Sequence, residues 1–229
     1  MHRLVSSSQN AKARYAAGII TGLFLISLLC FSAGAHAAII DTFPFTSQAP
    51  DGNWKNAMYQ NGCEEASVIM AMRWVRGGTS LSKKEALSEI QKLSVYEKKR
   101  FGTYIDLSTG DTAKLIRDYY KHVNVEARFS IQLEDVINEL KKGVVVLVPV
   151  DGRKLRNPYY TAPGPERHML PIIGYDEVQK EFITNDPGTR QGKAYRYKEE
   201  RLFQAIRDYS TGDHKPVTNI VKAMVVVRQ

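Results

Sequence analysis

The sequence predicts an α+β fold, with an N-terminal helical half packed on a C-terminal antiparallel sheet. Three observations carry that expectation. Apolar residues recur at helical spacing from Cys63 onward, unbroken apolar runs of strand length take over from Val144, and no repeat, low-complexity stretch or Ser/Gly linker divides residues 38–229. A single domain is expected there.

In chain order, Cys63 to Arg76 puts Ala66, Ile69, Met70, Met72 and Trp74 at apolar helical positions, and Gly77-Gly78 stops the run. Ser82 and Glu85 have the spacing of a capping box, which opens a second helix with Ala86, Leu87, Ile90 and Leu93 on one face. A third helix is expected from Asp111 to Lys121 and a short fourth from Leu133 to Lys142, ended by Gly143. Val144 to Val150 is a continuous apolar run of the buried-strand type. Met169 to Tyr175 and Lys180 to Thr184 are the next two strands, joined by the turn residues Asp176 to Gln179, and Val221 to Val227 is the last. Helices first and sheet second face each other across one expected core.

Composition narrows the class. With 229 residues, 43% hydrophobic and 24% charged, the chain can bury a core and is not a disordered tail. Two cysteines, Cys30 and Cys63, exclude a disulfide-stapled mini-protein and a cysteine-cluster zinc finger. No His-Glu-x-x-His helix, Asp-rich calcium loop or phosphate-binding glycine loop is present, so no metal or other cofactor is expected.

Residues 1–37 have the pattern of an export signal. Arg3, Lys12 and Arg14 precede an uncharged, mostly apolar run from Tyr15 to Phe31, and the small-x-small sites Ala33-Gly34-Ala35 and Ala35-His36-Ala37 follow. Cleavage is the favoured reading and a periplasmic or secreted product its consequence. The apolar run approaches the length of a membrane span, so the alternative is an uncleaved anchor tethering the protein through residues 15–31 to the inner membrane. A cut after Ala37 removes three cations and lowers the net charge from +8 to +5. In the remainder Lys and Arg alternate with acids, as in Lys198-Glu199-Glu200-Arg201, and do not gather into a stripe, so nucleic acid is not an expected partner.

The chemistry is expected at Cys63. Its thiol stands where a loop ending in Gly62 turns into a helix, and the positive end of the helix dipole favours a thiolate. Glu64 and Glu65 push the other way, so a cationic partner is required. His168 fills that role, because it joins the Pro/Gly-rich loop 161–167 to the strand beginning at Met169 and can take the thiol proton. Asp186 ends the following strand, 18 residues on, and a β-hairpin would bring its carboxylate beside the imidazole to orient it. The loop from Asp151 to Arg167, with Tyr159, Tyr160 and three prolines, is either a wall of the substrate groove or a stiff surface loop.

Three segments carry a family resemblance: Phe45-Thr46-Ser47-Gln48 upstream of Gly62-Cys63, His168-Met169-Leu170-Pro171-Ile172-Ile173-Gly174-Tyr175-Asp176, and Asn185-Asp186-Pro187-Gly188. Together they resemble the bacterial peptidase C-thirty-nine-like domain, a papain-like relative of the bacteriocin-leader-processing peptidases, over roughly residues 42–209. The resemblance implies a papain-like cysteine peptidase fold with Cys63 as nucleophile, His168 as base and Asp186 as the orienting carboxylate. It also implies Gln48, at the family's Pro-x-x-x-Gln position, as a donor to the oxyanion beside the Cys63 backbone N–H; Gln60 is the rival. Gly62-Cys63-Glu64-Glu65 stands where the leader-processing enzymes carry Asp-Cys-Gly, so bacteriocin export is not implied.

The expected activity is a cysteine-dependent peptidase or amidase working through an acyl-thioester on a peptide or amide substrate. The alternatives are a non-catalytic module that binds peptide or cell-envelope material in the same groove, and an envelope protein whose basic face meets anionic lipid or wall polymer.

Overall fold

An apolar, β-branched strand has no face to offer water, so Val145–Val150 must be covered on both sides, and it lies inside the sheet. The computed structural model describes residues 38–212 and 214–229; the expected export signal, residues 1–37, lies outside the described residues. In order, the elements are β1 (Ala38–Ile39), α1 (Ala57–Gln60), α2 (Cys63–Val75), α3 (Lys83–Phe101), α4 (Thr109–Tyr120), β2 (Val125–Phe129), α5 (Leu133–Lys141), β3 (Val145–Val150), α6 (Gly152–Leu155), β4 (His168–Asp176), β5 (Glu181–Thr184), β6 (Tyr195–Lys198), α7 (Glu199–Ala205) and β7 (Ala223–Val227). The sheet order is β2-β7-β3-β4-β5-β6, with every pairing antiparallel. β1 pairs with β4 at Gly174 and Tyr175, past Ile172 where the pairing of β3 ends.

The α+β expectation holds, and local chemistry explains where the helices begin. Ser82 Oγ accepts from the Glu85 N–H at 3.2 Å while Glu85 Oε2 accepts from the Ser82 N–H at 2.9 Å, the two halves of a capping box. α4 starts two residues ahead of the expected Asp111, because Ser108 caps it by accepting from the Asp111 N–H. Six elements were not anticipated: β1, α1, β2, α6, β6 and α7. β2 and β6 are the edge strands, and their charged sequences, Val-Glu-Ala-Arg-Phe and Tyr-Arg-Tyr-Lys, lack the apolar run that betrays an interior strand.

The expected single core is corrected to two. Alternate residues of β3 point to opposite faces. Val145 and Leu147 join Met169, Ile173, Val225 and the helices α2, α3 and α4 in one cluster. Val146, Val148 and Val150 join Leu170, Phe182 and residues of α5 and α7 in the other. The sheet is thus clad on both faces, which is why β3 carries no polar residue. On the first face α2 is enclosed almost all round; of its residues only Arg73 and Val75 escape full burial. Its first turn nevertheless contains two glutamates, Glu64 and Glu65, at 1% and 0% exposure. Burying an acid in this way is costly unless hydrogen bonds compensate it, and Tyr209 donates to Glu64 and Ser94 to Glu65.

Candidate active site

Cys63 is the first residue of α2. Its N-cap, Gly62, makes no side-chain capping bond, and a Cβ there would lie 3.1 Å from the Met58 carbonyl oxygen, a tight contact between α1 and the start of α2. The Ser67 hydroxyl, one turn on, donates to the Met169 carbonyl at 3.1 Å and ties α2 to the first residues of β4. The sulfur thereby meets the Met169 backbone N–H, next in sequence to His168. Burial pushes the thiol pKa well up, and Glu64, then Glu65, add to the rise; only the Met169 N–H lowers it. Among the described residues the thiol's side-chain partner is Glu64, whose Oε2 accepts from Sγ at 3.0 Å.

His168 begins β4, and Asp186 follows β5, its hairpin neighbour. The hairpin brings the two together as expected: His168 Nε2 lies 2.8 Å from Asp186 Oδ1. That oxygen also accepts from the Gly188 N–H at 2.9 Å. The other oxygen, Oδ2, accepts from Tyr160 Oη at 2.5 Å, Tyr197 Oη at 2.6 Å and Asn157 Nδ2 at 3.4 Å. Burial pushes the Asp186 carboxyl up, yet the His168 charge and these hydrogen bonds outweigh it and hold the group below the usual carboxylate range. The carboxylate stays ionised. With Nε2 committed to Asp186, Nδ1 is the imidazole nitrogen left to exchange a proton.

The Asn185-Asp186-Pro187-Gly188 segment also assembles the rest of the groove. Asn185 Nδ2 donates to the Pro44 carbonyl at 2.9 Å, and the Pro187 carbonyl accepts from the Gln48 N–H at 2.9 Å, so the N-terminal strip 43–48 is pinned beside the sheet end. Gln48 Nε2 donates to the carbonyls of Tyr59 and Gln60 at 2.9 and 2.8 Å, which braces the loop leading into Cys63 and occupies both of its N–H groups. Gln60, the rival, has no side-chain partner among the described residues. Cys63, His168, Gln48 and Gln60 all line one groove of about 570 Å³, with Trp54 and the 159–165 loop as walls; Asp186 lies behind His168. Tyr159 to Pro165 and Arg167 of the 151–167 loop thus line the groove that holds Cys63.

Asn157, Tyr160 and Tyr197, which complete the Asp186 shell, were not singled out as carboxylate partners. Tyr197 and Asn157 lie on separate elements from Asp186 and reach it only through tertiary packing. The Tyr160 ring also stands edge-on to His168, with centroids 5.7 Å apart, and limits its rotation.

A cysteine opening a buried helix, beside a central strand whose histidine is bound to a buried carboxylate, defines a cysteine-peptidase-like arrangement on an α+β scaffold. The sequence pattern of the Peptidase_C39 like family matches residues 40–211, and the chain belongs to that family. Among solved structures, a protein of Bacillus anthracis described as a C39-like peptidase superposes with a TM-score of 0.53, covering 85% of this chain and 98% of its own at 16% identity. That likeness is one of fold. No curated protein matches the chain.

Proposed function

We propose that this peptidase-like protein is a cysteine hydrolase that cleaves a peptide or amide bond by way of an acyl-thioester. The supporting observation is the His168–Asp186 pair at 2.8 Å on the strand whose next N–H meets the Cys63 sulfur. In this reading the Cys63 thiol gives its proton to His168 Nδ1 and the sulfur attacks the substrate carbonyl. The C–N bond then breaks, His168 returns the proton to the leaving amine, and water, deprotonated by the same imidazole, releases the acid and regenerates the thiol. The Cys63 N–H, in the first turn of α2 and so without an intrahelical acceptor, is one donor to the oxyanion. Gln48 is the other, exchanging one of its two carbonyl partners for the substrate; Gln60 remains the rival donor. The groove carries Arg167 and Arg190 and no carboxylate on its walls, which favours substrates with neutral or anionic side chains.

One observation favours the binding module instead: the thiol donates to Glu64 and its pKa is raised. The two readings part in a library of peptide and amide substrates screened against the wild type and Cys63→Ala. Hydrolysis lost by about 10³-fold or more in Cys63→Ala, and again in His168→Ala, is the expected result. Turnover by neither protein, with peptide still bound, would leave the module. Among the described residues no helix is long and apolar enough to cross a membrane. Export through residues 1–37 as signal or tether is part of the proposal, and fractionation of a C-terminally tagged chain separates a cleaved product from an anchored one.

A further inference from the structure

Glu64 has no part in the reaction steps above, yet its carboxylate is the group that holds the nucleophile. Its Oε2 accepts from Cys63 Sγ at 3.0 Å and its Oε1 from Tyr209 Oη at 2.6 Å. Two neutral donors, one on each oxygen, fit an ionised carboxylate locked in a single orientation. Among the described residues no lysine or arginine completes the set: Arg167, buried in the groove wall, pairs with Asp106 at 3.4 Å. The other titratable groups facing this pair are Glu65 on the same helix, Glu97 on α3, Asp106 ahead of α4 and Tyr209 after α7, while His168 on β4 lines the same groove as Cys63. In the proposed mechanism His168, next to the Met169 whose N–H meets the sulfur, is the group that offsets a second negative charge there.

We infer that Glu64 is a positioning residue that keeps the Cys63 thiol protonated at rest, so that the nucleophile is released only as its proton passes to His168. The inference rests on the reading of Cys63 as nucleophile. Its physical basis is the geometry: ionising the thiol beside a charged Glu64 places two anions one hydrogen bond apart, where little water screens them. An imidazolium at His168 relieves both. Favourable interaction with the helix dipole accounts for an acid in the first turn of α2, but not for one that is buried against the sulfur. The consequence is a resting thiol, which oxidants attack more slowly than a thiolate. A catalytic cysteine working outside the reducing cytoplasm would gain protection from this arrangement.

The test is the pH profile of Cys63 alkylation by iodoacetamide between pH 5 and 9, on the full chain and its Glu64→Gln, Glu64→Asp and His168→Ala variants. Glutamine keeps an oxygen for Tyr209 and turns an N–H toward the sulfur. Glu64→Gln is expected to make labelling about tenfold faster throughout this range, the effect of a thiol pKa lowered by about one unit. Loss of the thiol to hydrogen peroxide should accelerate in parallel. Glu64→Asp retains the charge but draws it back from Sγ, and its profile should fall between the two; it carries the test, with the same sign, if the glutamine variant does not fold. A Glu64→Gln profile that superimposes on the wild type, or is slower, overturns the inference. If His168→Ala still slows labelling in that case, the nucleophile assignment survives; if His168→Ala has no effect, it is the nucleophile assignment that fails.

Discussion

Asp186 and Glu64 are carboxylates that sit behind groove residues, one bonded to His168 and the other to Cys63, both sealed from solvent, and their environments drive them in opposite directions. For each, burial pushes the pKa up. At Asp186 the His168 charge and a shell of hydrogen-bond donors overcome that push, and the net shift is downward. At Glu64 the donors are a phenol and a thiol, Asp106 adds a like charge, and the net shift is upward. Next to Glu64 the imbalance grows, since Glu65 is pushed up to about 8 by burial and by Glu64, and Glu97 rises with it. The lesson is that burial alone does not decide the state of a carboxylate. The histidine partner and three or four donors keep Asp186 ionised, whereas at Glu65 and Glu97, each buried beside another acid, the push toward the protonated form prevails.

Breaking the donor-rich side should have the largest effect. Asp186→Asn removes the charge facing His168 and leaves a buried imidazole and two tyrosine hydroxyls poorly matched, which should cost about 3–5 kcal/mol of stability by thermal or urea unfolding. Alkylation of Cys63 should fall with it. A variant as stable as the wild type would show that the shell contributes nothing to the fold. Gly188→Ala tests the same side sterically. Its Cβ would come within 2.9 Å of His168 Cε1 and of a Tyr160 ring carbon, and overpacking of that kind costs about 1–3 kcal/mol. The expected signature is a displaced imidazole, read as a shifted His168 ring resonance.

The acid-rich side is sharpened by Glu97→Gln, the smallest of the three effects. A carboxyl whose folded pKa is raised stabilises the fold fully below its unfolded value, about 4.5, and that contribution is lost as pH rises through the folded value. With Glu65 at about 8, wild-type stability should therefore decline between pH 4.5 and 8. Asp186 has the opposite sign, stabilising above the unfolded value near 3.8 and losing that contribution in stronger acid. Glu97→Gln removes one charge from the cluster and should raise stability at pH 8 by on the order of 1–2 kcal/mol while leaving pH 5 nearly unchanged. Melting curves at the two pH values decide it; parallel shifts at both would mean that Glu97 acts by packing alone.

Much of the scaffold was legible in the residues. The capping box at Ser82, the glycines that end helices and the valine run of β3 are local signals, because each depends on neighbours within a turn or a strand. The hairpin that joins His168 to Asp186 was equally legible, since antiparallel strands linked by a short turn bring their far ends together. The edge strands β2 and β6 escaped, as half-exposed charged strands carry no periodic pattern to read. The second core escaped too, because the sequence of β3 reports that it is buried but not what covers each face.

By itself the sequence determined which residues could do chemistry and in what chain order: a cysteine at a helix start, a histidine at a strand start, an aspartate one hairpin later. Local backbone preferences and apolar spacing are sufficient for that. Only the tertiary structure decided what those groups feel. Asn157 and Tyr160 from one loop and Tyr197 from β6 gather on Asp186, and Tyr209 meets Glu64 across 145 residues. Charge states in a buried site are set by whichever donors and acids arrive within about 3–6 Å, and that neighbourhood exists only once the sheet and its helices have closed on each other.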